Sequence, residues 1–594
     1  MSYRRKKLLA LFCATALSMT AVAGCTGIKS STGNVVSSET ETNAEETSAQ
    51  SEAGTFSSAD MFTERDLAGT YEESGAVYVT LSDDGIAGET DGVVIDGQMV
   101  TITAEGTYIF SGTLSEGQIV VDADNAKVQI VFDNVDITCA SSAAVYVKSA
   151  EKVFVTLAEG SQNTLRNTDE YVAIDDNNID AVIFAKSDLT LNGTGSLTII
   201  SAEGHGIVSK DDLKIIGGTY DITAAGHALS GKDSVRIADG TFILTAEKDG
   251  IHAENADDEE KGYIYIADGD FTITSDGDGM DASNIVQIED GTLDITAGGG
   301  SANSLKTHES DVPGGPGGGM PQNGEKLDGE SMPQMGEKPD GENMPQDTTT
   351  DESGTSTKGI KAGGGMYLNG GTYQIDSADD SIHSNANITI ADGTYTLATG
   401  DDGVHADDAL IVNGGTITVT ESYEGLEGLA VTINDGTIDI TASDDGINTA
   451  GEKMELNGGY IHILAGGDGV DSNGDLTING GEIYIDGPSD NGNSAIDYGD
   501  RSSAYVNGGT LVAIGSSGMA EVMSDSSKQK VLMVKLGEQM EAGNVVLTDS
   551  EGNVIVSYTA LKTYDCVIIS TAEVESGATY TLTTSGTTTE VTAE

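Results

Sequence analysis

Residues 392–413 read DGTYTLATGDDGVHADDALIVN, and this stretch decides the fold. A Gly-Thr mark opens it, followed by an alternating run, Thr394-Tyr-Thr-Leu397. Next come an acidic turn with a short apolar run, Asp401-Asp-Gly-Val-His405, and a third run, Ala409-Leu-Ile-Val412. Alternation with period two is strand chemistry, and Gly, Asp and Asn between the runs are turn formers. Three short strands in about 22 residues make one coil of a parallel β-helix. The mark recurs with its glycine at 218, 240, 269, 291, 371, 393, 415, 436, 459, 481 and 509. Most intervals are 21–23 residues; those of 28 and 29 are short extensions, and one of 80 holds an insertion. A propeller blade of ~40–45 residues is too long for this period. Ile273, Ile295, Ile375, Leu397, Val419, Ile440 and Ile463 would stack as an interior ladder, with Tyr220, Phe242, Phe271, Tyr373 and Tyr395 as an aromatic row on the same side. The predicted fold class is all-β: a right-handed parallel β-helix over 75–519, with about 22 residues and three strands per coil.

Outward from this repeat the composition changes. The interval of 80 contains a Gly/Pro/Met-rich insertion at 308–356, beginning Pro313-Gly-Gly-Pro316, which has nothing to bury and reads as a disordered loop. Residues 520–594 abandon the period but keep strand-like runs such as Lys530-Val-Leu-Met-Val-Lys535. They are expected to form a small β cap over the open end, which a solenoid requires. Residues 25–74, rich in Ser, Thr and Glu, read as a disordered tether. Residues 1–24 have a basic start (Arg4, Arg5, Lys6, Lys7), an apolar run and a small-residue end, the pattern of a signal peptide. Val22-Ala-Gly-Cys25 resembles the bacterial lipobox, so the protein is expected to be exported and held at the outer face of the cell membrane by lipid on Cys25. That anchor would be its contact with the membrane. Cys139 and Cys566 are far apart and lack metal-ligand spacing.

The chain has 97 Asp+Glu against 28 Lys+Arg, a net charge of −69. Such a surface repels phosphate backbones, so nucleic acid is excluded as a partner. Cations, neutral surfaces, or anions bridged by cations remain.

The acidic turn occupies the same place in successive coils. One column is predicted to run Asp249, Asp278, Asp380, Asp402, Glu424, Asp445 and Asp468, flanked by Asp281, Asp379, Asp401, Asp444 and Asp471. Coils stack ~4.8 Å apart, where like charges destabilise one another. Ca²⁺ takes oxygens at ~2.4 Å, so carboxylates on neighbouring coils can share one ion. Asp-Gly is also a good turn former, which would leave the acids facing water. His383 and His405 follow the column acids by three residues and suit sugar contacts better than an all-oxygen site. Tyr423, Tyr484 and Tyr498 lie outside the interior ladder and are the candidate sugar platforms.

Asn167-Thr-Asp169 and Gly204-His-Gly206 resemble two polygalacturonase motifs, but Arg236-Ile-Ala238 stands where the third would be. A Ca²⁺-dependent polysaccharide (pectate) lyase is the stronger enzymatic alternative. It would need a basic side chain to take the C5 proton of a uronate, and the candidates are Lys306, Lys358, Lys361 and Lys453. A third class is a structural surface protein without glycan affinity.

The lipobox, Gly117-Gln-Ile-Val-Val-Asp122, Tyr146-Val-Lys-Ser-Ala-Glu-Lys152, Ser209-Lys-Asp-Asp-Leu-Lys214 and the Asp-Asp-Gly turns together resemble a clostridial family of cell-surface carbohydrate-binding β-helix lipoproteins. The resemblance covers roughly residues 75 to 585. It implies a pectate-lyase-like fold, bound calcium, and binding of acidic plant polysaccharide and cellulose rather than cleavage. Tyr423-Glu424 and Gly467-Asp468 depart from the paired acids of that pattern.

Overall fold

The computed structural model describes residues 56–88, 90–306, 356–451, 453–499 and 501–593. Residues 1–55, including the expected signal and Cys25, and the expected insertion apart from Ser356 lie outside the described residues.

The second glycine of each Gly-Gly-Thr or Asp-Gly-Thr mark sets the repeat. At Gly371, Gly393, Gly415, Gly436 and Gly459 φ is 100°, 121°, 90°, 125° and 82°, a region that glycine enters without steric cost. The aspartate before it closes the turn where present; the Gly393 amide donates to Asp392 Oδ1 at 2.8 Å. A strand of six residues then begins, as in Thr372–Ser377 and Thr394–Thr399. These two pair in parallel with Tyr373 opposite Tyr395 and Ile375 opposite Leu397. Ile382–Ser384 and Ile388–Ile390 both pair in parallel with Val404–Val412, one repeat on. Each strand of the repeat thus meets its own counterpart 22 residues later, and the result is one long, mostly parallel sheet of β-helix-like connectivity.

Alternation puts one side of every strand inside. Ile273, Ile295, Ile375, Leu397, Val419, Ile440 and Ile463 are all buried and in register from strand to strand. The aromatic row is also internal: Tyr220 on Phe242 at 5.2 Å, Phe242 on Phe271 at 4.7 Å, and Tyr373 on Tyr395 at 4.5 Å between ring centroids. Cys139 and Cys566 are separately buried thiols.

At the C-terminal end Tyr564–Ser570 runs antiparallel to Thr510–Gly515 and takes up its exposed edge. A separate four-stranded antiparallel sheet follows from Gly543–Thr548, Val554–Ala560, Thr579–Thr583 and Thr588–Thr592. It has its own core around Val545, Leu547, Tyr564 and Leu582.

Residues 56–74 correct the expected tether. They include two short helices, Ser58–Met61 and Glu64–Leu67. Phe56, Met61 and Phe62 pack on Tyr263 and Tyr265, and Asp66 is buried against Lys152. The composition of 25–74 looks disordered on average, yet three large apolar residues at its end find partners about two hundred positions away.

Candidate functional site

The turn that precedes each short middle strand builds two parallel columns. The first contains His227, Asp249, Asp278, Lys358, Asp380, Asp402, Glu424, Asp445 and Asp468, because each is joined to the next repeat by a backbone hydrogen bond from the residue that follows it. Lys358 belongs to this column and the sequence reading missed it; the frame Lys358-Gly-Ile360, matching Asp380-Ser-Ile382, was the available signal. The second column runs His252, Asp281, Lys361, His383, His405, Glu427, Asn448, Asp471 and Asp497, in strand register throughout.

The acids of the first column use their two oxygens differently. Oδ1 accepts the backbone amide of the next repeat: Asp249 from Asp278 at 2.9 Å, Asp278 from Lys358 at 2.7 Å and Asp380 from Asp402 at 3.2 Å. Asp402 accepts from Glu424 at 3.1 Å, Asp445 from Asp468 at 2.6 Å, and Asp468 from Ser494. One oxygen is therefore part of the fold, which explains why an acid recurs at this turn. The other oxygen is left for chemistry.

In the N-terminal half that second oxygen meets a base. Asp249 Oδ2 lies 3.0 Å from Nδ1 of both His227 and His252. Burial opposes the charge on Asp249, but these imidazoles outweigh it and hold the carboxyl well below its usual range. Lys361 reaches Asp278 at 3.4 Å and Asp281 at 3.3 Å. Lys358 bridges Asp379 at 2.8 Å and Asp380 at 2.6 Å, while Lys306 bridges Asp379 at 2.7 Å and Asp401. Burial works against protonation of these three lysines, and the carboxylates outweigh it, so all three are raised above the ordinary lysine value. They are internal counter-ions. A lyase base must be neutral to accept a proton.

The bases stop at His405. Among the described residues no basic side chain pairs with Asp445, Asp468 or Asp471, whose ligand oxygens lie within 4.8 Å of one another. Burial, followed by the neighbouring carboxylates, pushes Asp445 up to about 8, Asp468 to about 7 and Asp471 to about 6. A cation would relieve this repulsion, and an oxygen shell of radius ~2.4 Å has the diameter of the cluster. The departure Gly467 becomes intelligible here. A Cβ at 467 would overlap Asp444 Oδ1 and Asp445 Oδ1, so the glycine leaves the carboxylates their place. Gly467→Ala is expected to cost about 1–3 kcal/mol through overpacking and to weaken Ca²⁺ binding. Thermal midpoints with and without Ca²⁺ test this; a midpoint difference equal to that of the parent would contradict the cradle.

The candidate glycan residues have different surroundings. His383 and His405 turn towards the first column, at 2.8 Å from Asp380 and 3.3 Å from Asp402. Tyr423 is half-buried and its carbonyl accepts the Asp444 amide at 3.0 Å. Tyr498 donates its hydroxyl to the Val522 carbonyl at 2.7 Å. Tyr484 is stacked by Tyr558 at 5.2 Å, and Tyr460, 40 % exposed, lies 5.7 Å from Tyr484 between ring centroids. Tyr460 is the exposed aromatic that the sequence reading missed: Gly458-Gly-Tyr460 replaces the usual Gly-Gly-Thr.

The described residues thus form a long, mostly parallel sheet that carries acidic clusters able to hold cations. Residues 96–403 and 398–579 match the family of carbohydrate-binding domain-containing proteins, and the chain belongs to that family. A curated relative, a carbohydrate-binding domain-containing protein of Acetivibrio thermocellus, is 40 % identical over 139 residues, 23 % of this chain and 49 % of the relative. The chain thus spans about half the length of the curated relative it matches. A solved structure of the polysaccharide lyase-like protein from C. thermocellum, a gadolinium derivative, is 36 % identical, covers 38 % of this chain and 92 % of that chain, and has a TM-score of 0.37.

Proposed function

We propose that this protein binds plant cell-wall polysaccharide, pectin-like or cellulose-like, at the bacterial cell surface, with Ca²⁺ held by Asp445, Asp468 and Asp471 bridging to acidic glycan. The observation that carries this reading is the base-free cluster. In the N-terminal half the column carboxylates meet bases, whereas here they meet none, and a cation from solution would relieve their repulsion. An acidic protein holding an acidic glycan needs such a bridge. Binding is preferred over lyase chemistry because Lys306, Lys358 and Lys361 are committed to carboxylates, and Lys453 pairs with Glu455 at 2.8 Å. The body is read as a right-handed parallel β-helix, the usual sense of parallel crossovers, closed by the C-terminal β cap. Export through residues 1–24 and lipid on Cys25 would place it outside the membrane.

Affinity electrophoresis in polygalacturonate and cellulose derivatives tests the reading. Retardation in polygalacturonate should require Ca²⁺ and disappear with chelator, with no rise in ultraviolet absorbance from unsaturated uronate. Product that disappears in Lys361→Ala or Lys453→Ala would establish a lyase instead. Ca²⁺ binding without retardation on any glycan would favour a structural surface protein.

A further inference from the structure

In a chain with 28 Lys+Arg and a net charge of −69, four lysines stand one above another in successive repeats. Lys148, Lys186, Lys210 and Lys232 each come two residues after Tyr146, Phe184, Val208 or Ser230, which are in strand register and turned away from the main core. The register carries through to the lysines. The Lys186 amide donates to the Val147 carbonyl at 3.1 Å, the Lys210 amide to Ala185 at 2.8 Å and the Lys232 amide to Ser209 at 2.9 Å. Alternation keeps all four side chains on the outward side, where Lys148, Lys186 and Lys210 are exposed and Lys232 is half-buried. One repeat further on, Glu254 follows Ala253 at this place and ends the ladder.

Ammonium groups on strands ~4.8 Å apart repel one another. Carboxylates relieve only the two ends: Asp122 lies 2.8 Å from Lys148, and Asp257 lies 2.7 Å from Lys232. Among the described residues no carboxylate pairs with Lys186 or Lys210, and Lys210 stands over the Phe184 ring at 5.4 Å. With 97 Asp+Glu in the chain, a shortage of acid does not explain this. Beside the ladder a cleft of about 400 Å³ is lined by Lys210, Lys232 and Lys248 together with His205, His227 and His252. Its two carboxylates are engaged, Asp257 by Lys232 and Glu254 at 3.4 Å from His252. His205 Nδ1 accepts the His227 amide at 2.8 Å, so its ring proton is on Nε2. Burial, followed by the positive charge of His227, Lys248 and Lys210, lowers this imidazole to about 3 and keeps it neutral. The local field is thus positive on a protein whose net charge is strongly negative.

We infer that Lys148, Lys186, Lys210 and Lys232 hold successive carboxylates of one uronate chain lying along the repeat, by direct ammonium–carboxylate contact without a metal. The inference rests on the acidic-glycan reading and gives that glycan a second contact, apart from the Ca²⁺ cluster. A column of single charges fits a linear polymer with one carboxylate per sugar. Lysine suits it, because a point charge on a flexible stem tolerates a mismatch of spacing that a fixed guanidinium fork would not. The strand before Lys232 and the strand of Asp471 belong to one series, eight pairings apart, so one extended chain reaches both. Exposed ammonium–carboxylate pairs are weak and screened by salt. The ladder therefore strengthens Ca²⁺-dependent retention and does not replace it.

Affinity electrophoresis of the full chain in polygalacturonate with Ca²⁺, over a range of NaCl, tests it. Lys186→Gln with Lys210→Gln should weaken retention about three- to tenfold and flatten its salt dependence. Lys528→Gln with Lys530→Gln makes the same change of net charge far from the ladder and should leave retention as in the parent. The thermal midpoint of the ladder variant should equal or exceed that of the parent, because repulsion is relieved, so weaker retention does not report unfolding. Retention and salt dependence equal to the parent's in the ladder variant, or the same loss in Lys528→Gln with Lys530→Gln, would overturn the ladder and leave the Ca²⁺ reading standing. No retention of the parent in Ca²⁺ would overturn the acidic-glycan reading and the ladder with it.

Discussion

With chelator present, raising the pH from about 5 to about 9 should lower the thermal midpoint, and roughly millimolar Ca²⁺ should remove most of that slope. Asp445, Asp468 and Asp471 ionise at about 8, 7 and 6 in the folded, metal-free chain. In the unfolded chain they ionise near the ordinary aspartate value of about 3.9. Between these limits the folded state holds protons that the unfolded state has released, so stability falls as pH rises. Ca²⁺ binds the ionised folded form and reverses the preference. At a hundredfold excess over Kd the gain is about 2.7 kcal/mol. His405 contributes with the same sign: the carboxylates around it outweigh its burial and raise it to about 10, so its stabilisation is present below the ordinary histidine value and lost as pH climbs through about 10. Asp445→Asn with Asp468→Asn separates the two. It should reduce the acid part of the slope and remove the Ca²⁺ response, while the parts from His405, Glu427 and Asp401 remain. A midpoint at about pH 8 that does not respond to chelator would remove the basis for the calcium reading.

The repeat is legible in the sequence because one physical requirement recurs once per repeat. A glycine with positive φ must start each long strand, and the interior residues must alternate behind it. The acidic turn is legible for a related reason: Oδ1 of Asp380, Asp402 and Asp445 fastens the next repeat, so the residue type persists whether or not a cation binds. What the sequence hides is the company of the other oxygen. Lys306 and Lys358 stand on opposite sides of a long insertion, and only the winding of the chain puts both on Asp379. The partners of two candidate tyrosines are hidden for the same reason. Tyr484 and Tyr498 are outward positions of the repeat, but Tyr558, which stacks on the first, and Val522, which accepts the hydroxyl of the second, come from residues after it. Period alone tells which side of a strand faces out. It does not tell what a later segment lays over that side.

The segment before the repeat gives the other large effect. Asp66→Ala should cost about 3–5 kcal/mol of local stability, because it leaves a buried lysine without its counter-charge. The Asp66 carboxylate is fully buried and accepts from Lys152 Nζ at 2.5 Å, Thr190 Oγ1 at 2.9 Å and Thr63 Oγ1 at 2.8 Å. Burial alone would raise its pKa. The bonds from Lys152 and Thr63 outweigh burial and bring it down to about 2. A lowered carboxyl stabilises above its unfolded value of about 3.9 and loses that contribution as pH falls through about 2, so this contact should open in acid and hold at neutral pH. The loss should be confined to residues 56–67 and the surface they cover, because the stacked interior ladder does not depend on them. Hydrogen exchange should therefore accelerate at Ser58–Leu67 and around Lys152, while Thr394–Thr399 and its neighbours remain protected. The double variant Asp66→Leu with Lys152→Met separates charge from packing. A buried pair replaced by apolar groups of similar size is often neutral or stabilising, so protection should return. If the double variant exchanges as fast as Asp66→Ala, the charged pair itself is required; if Asp66→Ala exchanges no faster than the parent, the segment is held by Phe56, Met61 and Phe62 on Tyr263 and Tyr265, and the ion pair contributes nothing of its own.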